Sequence, residues 1–203
     1  AASDVYKRQI LPLHQSLDEL RENNNLIKIG TTKRGIGPAY EDKVGRRAIR
    51  LCDLFDKEKL KKKIEILLNH HNAIMRGFGL NEYNLEEVVS EIYELGEYAK
   101  PFAKTINDIT NVINSGKEKI LFEGAQGFLL DIDHGTYPFV TSSNVHASYA
   151  SIGSGLNPKV INHILAITKA YTTRVGNGPF PTEQDHEICL LYTSPSPRDD
   201  RSS

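Results

Sequence analysis

Apolar side chains recur at helical spacing through the middle of the chain, and this pattern predicts a block of amphipathic helices. The clearest run is made by Leu60, Ile64, Leu67, Leu68, His71 and Met75. Steps of three and four residues place these side chains on one helical face, with the lysines of residues 57–63 outside it. Because His71 stands on the apolar face, we interpret it as a packed structural residue rather than as a ligand.

Four other segments show the same spacing over shorter lengths. Helices are expected over residues 13–22, 39–50, 85–95 and 106–113. Pro38 suits the first turn of the second helix, and Gly116 suits the C′ position of the last. We interpret the helices between about residues 55 and 116 as an insertion into a larger fold.

Three short apolar stretches are typical of strands, and each runs into a polar, glycine-rich loop. They lie at residues 26–29, 119–122 and 164–175. We expect the second to be buried and the third to belong to a mostly parallel sheet. The recurring order of strand, loop and helix predicts the α/β class, with a mostly parallel sheet and a helical insertion.

The loops at residues 30–37, 124–144 and 176–182 share a composition that suits a nucleotide pocket. In open α/β sheets, ligands bind beyond the carboxyl ends of the strands, where such loops converge. Their glycines let backbone N–H groups approach a phosphate, and their hydroxyl groups add neutral donors. The hydroxyl residues are Thr31, Thr32, Thr141, Ser142 and Ser143. One loop alone is weak evidence, but the three together predict a nucleotide site.

Two features of these segments each have two interpretations. Gln126 lies between two glycines, so its amide either meets a ligand edge or bonds its own turn. Basic residues recur at three- and four-residue steps after Pro38 and form one helical face. They are Lys43, Arg46 or Arg47, and Arg50. That face is either a solvated surface or a contact with a phosphate or another subunit.

The step Asp131-Ile132-Asp133-His134 suggests a metal site, because two carboxylates and an imidazole suit a divalent ion. A metal-dependent hydrolase centred on Asp131, Asp133 and His134 is the function that this interpretation implies. No further clustered ligands follow along the chain. We therefore favour a hydrogen-bonded brace of the loop and predict no metal site here.

Composition narrows the classes of function. The chain has 203 residues, of which 39% are apolar, so it can bury a core. A net charge of −1 gives no field that attracts nucleic acid or a membrane surface. The cysteines, Cys52 and Cys189, are too few for a disulfide framework, which favours a reduced cytoplasmic setting. No apolar run approaches the roughly 18 residues that span a bilayer, so we expect a soluble protein. The low net charge favours small-molecule partners.

Both ends of the sequence differ from the rest. Residues 1–9 lack periodicity, and residues 189–203 are rich in Ser, Pro and Arg. We interpret both as non-native adapter sequence, the second of them disordered, with residues 10–188 as the central part of one α/β domain. The Gly-x-x-x-x-Gly-Lys-Ser/Thr phosphate loop is absent, so the part that would cradle a triphosphate is expected outside this chain.

Three long motifs carry a family resemblance. They are G-T-T-K-R-G-I-G-P-A-Y-E-D-K-V-G-R-R at 30–47, E-G-A-Q-G-F-L-L-D-I-D-H-G-T-Y-P-F-V-T-S-S-N at 123–144 and K-A-Y-T-T-R-V-G-N-G-P-F-P-T-E at 169–183. With the helices between them, they resemble the middle of the adenylosuccinate synthetase family over about residues 13–183. The resemblance implies a truncated synthetase fold of the P-loop-NTPase-like type.

The resemblance also implies a function, the joining of L-aspartate to IMP at the expense of GTP, with Mg²⁺, in purine biosynthesis. By position, Thr32 and Thr141 match threonines that bind IMP, chiefly at its 5′-phosphate. Val175 matches a valine whose backbone meets the ribose. Gln126 matches a glutamine near the base 6-oxygen, a catalytic contact. Arg46 matches an arginine that reaches across a homodimer into the partner's IMP site.

Departures from the family pattern limit what this chain is expected to do alone. The family's N-terminal glycine-rich loop with its catalytic Asp, and the following catalytic His, have no counterpart here. The aspartate-binding and guanine-binding segments and most metal ligands are likewise expected outside the chain, so we expect the isolated chain to be inactive. A non-catalytic nucleotide-binding or dimerisation module is the alternative. His146 and Tyr149 stand where the family pattern leads us to expect smaller residues.

Overall fold

A computed structural model describes residues 3–4, 9–104, 106–117, 119–170 and 172–183. The α-helices of these residues are α1 (Pro12–Asn24), α2 (Ile36–Val44), α3 (Lys57–Gly77), α4 (Leu85–Ala99), α5 (Ile106–Ser115) and α6 (Tyr149–Ser154). Short 3-10 helices lie at Leu51–Phe55, Lys100–Phe102, Phe128–Leu130 and Pro158–Val160. Strands β1 (Ser3–Asp4) and β2 (Ala103–Lys104) pair in parallel. Helices therefore dominate up to residue 115, and loops dominate after it.

Helix α3 forms the centre of the hydrophobic core. Its Leu60, Ile64 and Leu67 are each 0% exposed, as the helical spacing of the sequence predicts. They belong to one cluster with Val89 and Ile92, which α4 contributes. No helix in the described part of the chain is long and apolar enough to cross a membrane.

Both central helices begin at a side chain that accepts hydrogen bonds from the first turn. The Asp56 carboxylate accepts from the backbone N–H of Lys59 at 3.0 Å. The Asn84 side-chain oxygen accepts from the backbone N–H groups of Glu86 and Glu87, at 2.9 and 3.2 Å. Such caps satisfy donors that the helix itself leaves free, which fixes where α3 and α4 start.

Helices α1 and α2 pack together beside this core. Leu17 of α1 and Ala39 of α2 are buried, and Leu13 joins the same cluster as α3. Arg21 Nη1 donates to Glu41 Oε1 at 2.6 Å and ties the exposed sides of the two helices. Polar side chains, rather than apolar ones, connect α2 to α3, and they belong to the candidate site.

Four of the five predicted helices form where the spacing places them, as α1, α3, α4 and α5. Gly116 has a φ of 62°, and its N–H donates to the carbonyl of Ile113 at 3.1 Å, so it ends α5 as predicted. Leu95, the last residue of the predicted amphipathic helix at 85–95, is nevertheless 55% exposed.

The predicted basic helix face is also wrong. Helix α2 ends at Val44, so Arg46, Arg47 and Arg50 lie beyond it and share no helical face with Lys43. The helix stops because the carbonyl of Asp42 accepts from the N–H groups of Arg47 and Ala48, at 3.0 and 3.2 Å, instead of from one residue four positions on. Such a pattern closes the last turn.

The predicted mostly parallel sheet is not confirmed. In the residues described, strand pairing is confined to the two-residue strands β1 and β2. The segments at 26–29 and 119–122, and the described part of 164–175, form no strand.

Exposure explains why these three segments differ from the prediction. Leu26 is 105% exposed, Leu121 is 86% exposed and Ile167 is 90% exposed, so the expected burial of residues 119–122 is wrong. Strand propensity reflects packing on a pleated, half-buried surface more than an intrinsic backbone preference. Without a neighbouring strand and a covering layer, apolar composition alone does not produce a sheet.

Candidate functional site

The loops at residues 30–37 and 176–182 meet directly. The backbone N–H of Asn177 donates to the carbonyl of Ile29 at 3.2 Å, and its side-chain amide donates to the carbonyl of Lys28 at 3.1 Å. A Cβ built on Gly30, whose φ is 76°, would lie 2.6 Å from the Cα of Gly176. Only two glycines allow this approach, so both glycines are needed to bring the two loops together.

Arg174 joins the last loop to the middle one. Its Nη2 donates to Thr136 Oγ1 at 2.9 Å and to the carbonyl of Phe139 at 2.7 Å. The middle loop in turn approaches α2, because a Cβ on Gly37 would lie 3.2 Å from Ser142 Oγ. The three glycine-rich loops therefore form one contiguous surface, as their shared composition predicted.

Helix α6 attaches to the same surface through Tyr149. Lys43 Nζ donates to the Tyr149 hydroxyl at 3.2 Å and lies 5.8 Å from the centre of its ring. Lys43 also lies 5.4 Å from the ring of Tyr40, so two aromatic faces flank one cation. Tyr149, which the family pattern did not lead us to expect, therefore connects α6 to Lys43 of α2.

Carboxylates of α1 hold the loop at residues 30–37 from beneath. Asp18 accepts from Thr31 Oγ1 at 3.1 Å and from the N–H of Gly35 at 2.9 Å. Glu22 accepts from the N–H of Gly30 at 2.6 Å. The two glycine N–H groups and the Thr31 hydroxyl are thus bound to acidic side chains, so the prediction that they face a phosphate is wrong for them.

Asp131 organises the turn that carries the middle loop. It is 0% exposed and accepts from the N–H groups of Asp133, His134 and Val145 at 2.9, 3.1 and 2.7 Å. Asn144 Nδ2 adds a bond to Asp133 Oδ2 at 2.5 Å. Although burial raises the pKa of Asp131, these hydrogen bonds to its charged form lower it to about 2. Asp131 is therefore the brace that we favoured.

A second carboxylate, Asp42, connects three helices inside the fold. It is 0% exposed, and its Oδ2 lies 2.9 Å from His14 Nε2 and 2.8 Å from His71 Nε2. Its Oδ1 accepts from Arg47 Nε at 2.6 Å. Burial raises the pKa of Asp42, but the hydrogen bonds from His14 and His71 outweigh it and hold this pKa below the ordinary value.

Within the described residues, the side chains of His14, Asp42 and His71 form a cluster close enough to share a metal ion. The tautomer of His14 argues against that use. Its Nδ1 accepts from the N–H of Leu11 at 2.9 Å, so its proton sits on Nε2, which faces Asp42. A metal needs the lone pair of that nitrogen. The cluster is therefore a hydrogen-bonded network, and His71 has the structural role that the sequence predicted.

The described residues do not fit the Mg²⁺ that the family resemblance implies. Mg²⁺ prefers oxygen ligands with near-octahedral geometry and keeps several waters. The buried carboxylates of Asp18, Asp42, Asp53 and Asp131 already accept bonds from protein donors. Their oxygens are therefore engaged by the protein rather than free to coordinate an ion, and we assign no chemical step to a metal bound by these residues.

The five residues assigned to IMP differ in exposure. Thr32, Arg46 and Gln126 are exposed, Thr141 is half-buried and Val175 is 59% exposed. The Thr141 N–H donates to the carbonyl of Leu130 at 2.8 Å. Neither of the cavities beside α4 and α6, of about 170 and 310 Å³, is lined by any of the five. Their assembly into one pocket stays a prediction.

Backbone conformation distinguishes two of the five residues assigned to IMP. Among the described residues, the non-glycine positions with positive φ are Lys33 at 53°, Arg46 at 61° and Gln126 at 65°. Such a conformation costs about 1–2 kcal/mol for a residue with a Cβ. Two of the three are assigned IMP residues, and the third adjoins Thr32. Strain of this kind concentrates at functional sites.

The family model of adenylosuccinate synthetase matches residues 6–193, which is most of the chain. The chain belongs to the adenylosuccinate synthetase family. It is a fragment of that family, and the family is one of ligases that serve purine biosynthesis.

A solved structure agrees with this membership. The structure of fully ligated adenylosuccinate synthetase from Plasmodium falciparum superposes with a TM-score of 0.83 at 34% sequence identity. The match covers 92% of this chain and 44% of the other, so this chain spans less than half the length of the adenylosuccinate synthetase it resembles. The synthetase fold is thus supported although the sheet itself is not seen in the described residues.

Three residues that shape the site were not predicted from the sequence of this adenylosuccinate synthetase fragment. Asp18 and Glu22 are four residues apart on α1 and thus share one face of the helix. This spacing could have indicated that they bind the same loop. Arg174 stood inside the third motif between a threonine and Val175. Its bonds to Thr136 span 38 positions of sequence, and no local pattern announces such a contact.

Proposed function

We propose that this chain supplies most of an IMP half-site in a GTP-dependent ligase that joins L-aspartate to IMP. In this reaction the purine 6-oxygen is first phosphorylated, and the aspartate amine then displaces that phosphate. Gln126 is assigned beside the 6-oxygen, and Thr32 and Thr141 at the 5′-phosphate. Val175 is assigned to the ribose, and Arg46 to the IMP of a second copy in a homodimer.

The observation that carries this proposal is the coincidence of left-handed backbone with assigned residues. Gln126 has a positive φ and an exposed side chain, so packing does not explain its conformation, whereas the positive φ of Arg46 also serves to end α2. A strained, exposed side chain is aimed by its backbone, and a ligand contact gives a reason to retain that strain. The contacts among the three loops support the same conclusion, because they bring the segments of Thr32, Thr141 and Val175 to one surface.

Each assignment suits the chemistry of its residue. A phosphate dianion favours hydroxyl and charge-assisted donors, and an arginine presents a planar fork to it. A neutral amide beside an oxygen that gains negative charge stabilises the transition state by about 3 kcal/mol in typical cases. Gln126 can supply such a donor without adding a charge.

Other parts of the activity belong to the longer protein in this proposal. GTP, L-aspartate and Mg²⁺ are assigned to segments beyond this chain, and a cytoplasmic homodimer is the proposed assembly. The apolar segments at 26–29, 119–122 and 164–175 are proposed to become strands of a mostly parallel sheet when those segments are present. The isolated chain is then expected to bind IMP weakly and to form no adenylosuccinate from GTP.

A titration of IMP against the wild-type chain and Thr141→Ala tests the assignment. Loss of a hydrogen bond to a charged group should weaken binding about tenfold. Ser90→Ala is a matched control, because Ser90 is exposed on α4 away from the loops and loses the same hydroxyl. Equal affinities of wild type and Thr141→Ala would remove Thr141 from the site. Formation of adenylosuccinate by the isolated chain would refute the division of the activity between segments.

A further inference from the structure

Arg174 carries a positive charge that no acidic side chain of the described residues balances. Its guanidinium is half-buried, and both of its bonds, to Thr136 and Phe139, go to neutral oxygens. No carboxylate of the described residues lies within ion-pair distance of it. Its Nε is buried and has no hydrogen-bond acceptor in the described part of the chain.

Arg47, another partly buried arginine, has the acidic partner that Arg174 lacks among the described residues. The Arg47 side chain is 21% exposed, and its Nε donates to Asp42 at 2.6 Å. A charge taken out of water is normally paired, because an unpaired one loses its hydration without compensation. Arg174 resembles Arg47 in burial but lacks an anion, so its environment is electrostatically incomplete.

The backbone around Arg174 is shaped to accommodate the guanidinium. Gly178 contacts it so closely that any side chain at that position would collide with Nη2 and with the central carbon of the group. Gly176, with a φ of 94°, turns the chain back toward Ile29. Gly178 thus leaves room for the guanidinium, and Gly176 brings the chain next to the loop at 30–37.

We propose that Arg174 is a further substrate-binding residue, the positive charge in this chain that holds the phosphomonoester of the nucleotide. This inference rests on the proposed function, because Val175 follows Arg174 directly and the Thr136–Phe139 turn leads to Thr141. A phosphate at this junction supplies the missing negative charge. The hydroxyl of Thr141 alone supplies a donor but no charge.

Comparing IMP with inosine isolates the phosphate contribution. Arg174→Gln should weaken IMP binding roughly ten- to a hundredfold while leaving inosine binding unchanged, since inosine lacks the phosphate. Arg174→Lys keeps the positive charge, so it should lose less IMP affinity than Arg174→Gln. Arg76→Gln is the control, because Arg76 of α3 lies in an exposed ion pair with Glu82 and its loss should change the binding of neither ligand.

Two outcomes of this titration would overturn the proposal. An equal loss of IMP and inosine affinity would mean that Arg174 only holds the loops in place. Equal behaviour of Arg174→Gln and Arg174→Lys would mean that its charge does not matter.

A second measurement separates this inference from the proposed function. A buried Nε–H exchanges slowly with water, so its NMR resonance is observable and can be assigned by its loss in Arg174→Gln. Added inorganic phosphate should shift that resonance, whether or not the chain binds IMP. A shift without IMP binding would retain the anion site and reject the nucleotide assignment. No shift at a phosphate concentration that saturates a free guanidinium site would reject the anion site.

Discussion

Replacing Asp42 with asparagine should strongly destabilise the chain. The carboxylate is 0% exposed and makes three hydrogen bonds, with His14 of α1 at 2.9 Å, His71 of α3 at 2.8 Å and Arg47 at 2.6 Å. An asparagine of the same size turns one acceptor oxygen into an N–H donor. That donor would face the imidazole N–H groups or the guanidinium, and Arg47 would lose its counter-ion.

The size of the effect follows from the kind of contact that is lost. Removing one partner of a buried ion pair typically costs about 3–5 kcal/mol, because the other charge stays buried without compensation. The Arg47 side chain is still 21% exposed, so water relieves part of this cost and the lower end of that range applies. We therefore expect a loss of about 3 kcal/mol in the free energy of unfolding.

The loss should depend on pH in a direction set by the pKa of Asp42. Its ordinary value is 3.8, and the hydrogen bonds from His14 and His71 hold the pKa of the folded state below it despite burial. A lowered carboxyl pKa contributes stability that is fully present above about pH 4 and is lost as the pH falls further. The difference between wild type and Asp42→Asn should thus be largest at neutral pH and shrink on acidification below pH 4.

Urea unfolding followed by circular dichroism measures both effects. Asp56→Asn is the matched control, because Asp56 caps α3 at the surface and asparagine is an equally good cap there. The two variants make the same chemical change, one buried and one exposed. A loss for Asp42→Asn at pH 7 no larger than that for Asp56→Asn would refute the reasoning, as would a difference that grows below pH 4.

Three further predictions concern the fold around the site. Zinc and EDTA should each leave the melting temperature unchanged, because His14 Nε2 carries a proton; a rise of several degrees with zinc would contradict this. Gly35→Ala should cost at least about 1 kcal/mol in urea unfolding, since its φ is 75°, whereas Gly77→Ala in open space should be neutral or stabilising. Asp131→Asn should speed amide hydrogen exchange at Val145, and unchanged exchange would remove Asp131 as the brace.

The helices could be predicted because their signals are local. The spacing of Leu60, Ile64 and Leu67 defines a face, and a partner for that face exists within the next 35 residues, in α4. Helical spacing does not predict where a helix ends when residues distant in sequence decide that end. The end of α2 was placed too late because Asp42 binds side chains 28 and 29 positions away and uses its own carbonyl to close the turn.

The strands could not be predicted reliably from composition, for the opposite reason. A strand is completed by another strand, and the segments at 26–29 and 119–122 contain no information about whether that neighbour is present. Ile29 shows the beginning of such pairing, since its carbonyl accepts from Asn177 at 3.2 Å. Two bonds from Asn177 to the segment at 26–29, across 148 and 149 positions, do not offset the entropy of ordering both segments, so Leu26 stays exposed.

The site shows how far residue chemistry could be predicted. Motif residues such as Gln126 were identifiable, and their left-handed backbone agrees with a functional role. The supporting charges were not, because Asp18 contacts a loop 13 to 17 positions away and Arg174 contacts one 35 to 38 positions away. The two charges differ in a way that matters for function. Asp18 is satisfied by protein donors and holds the loop, whereas Arg174 has no acidic partner among the described residues, which is why we propose that it binds an anion.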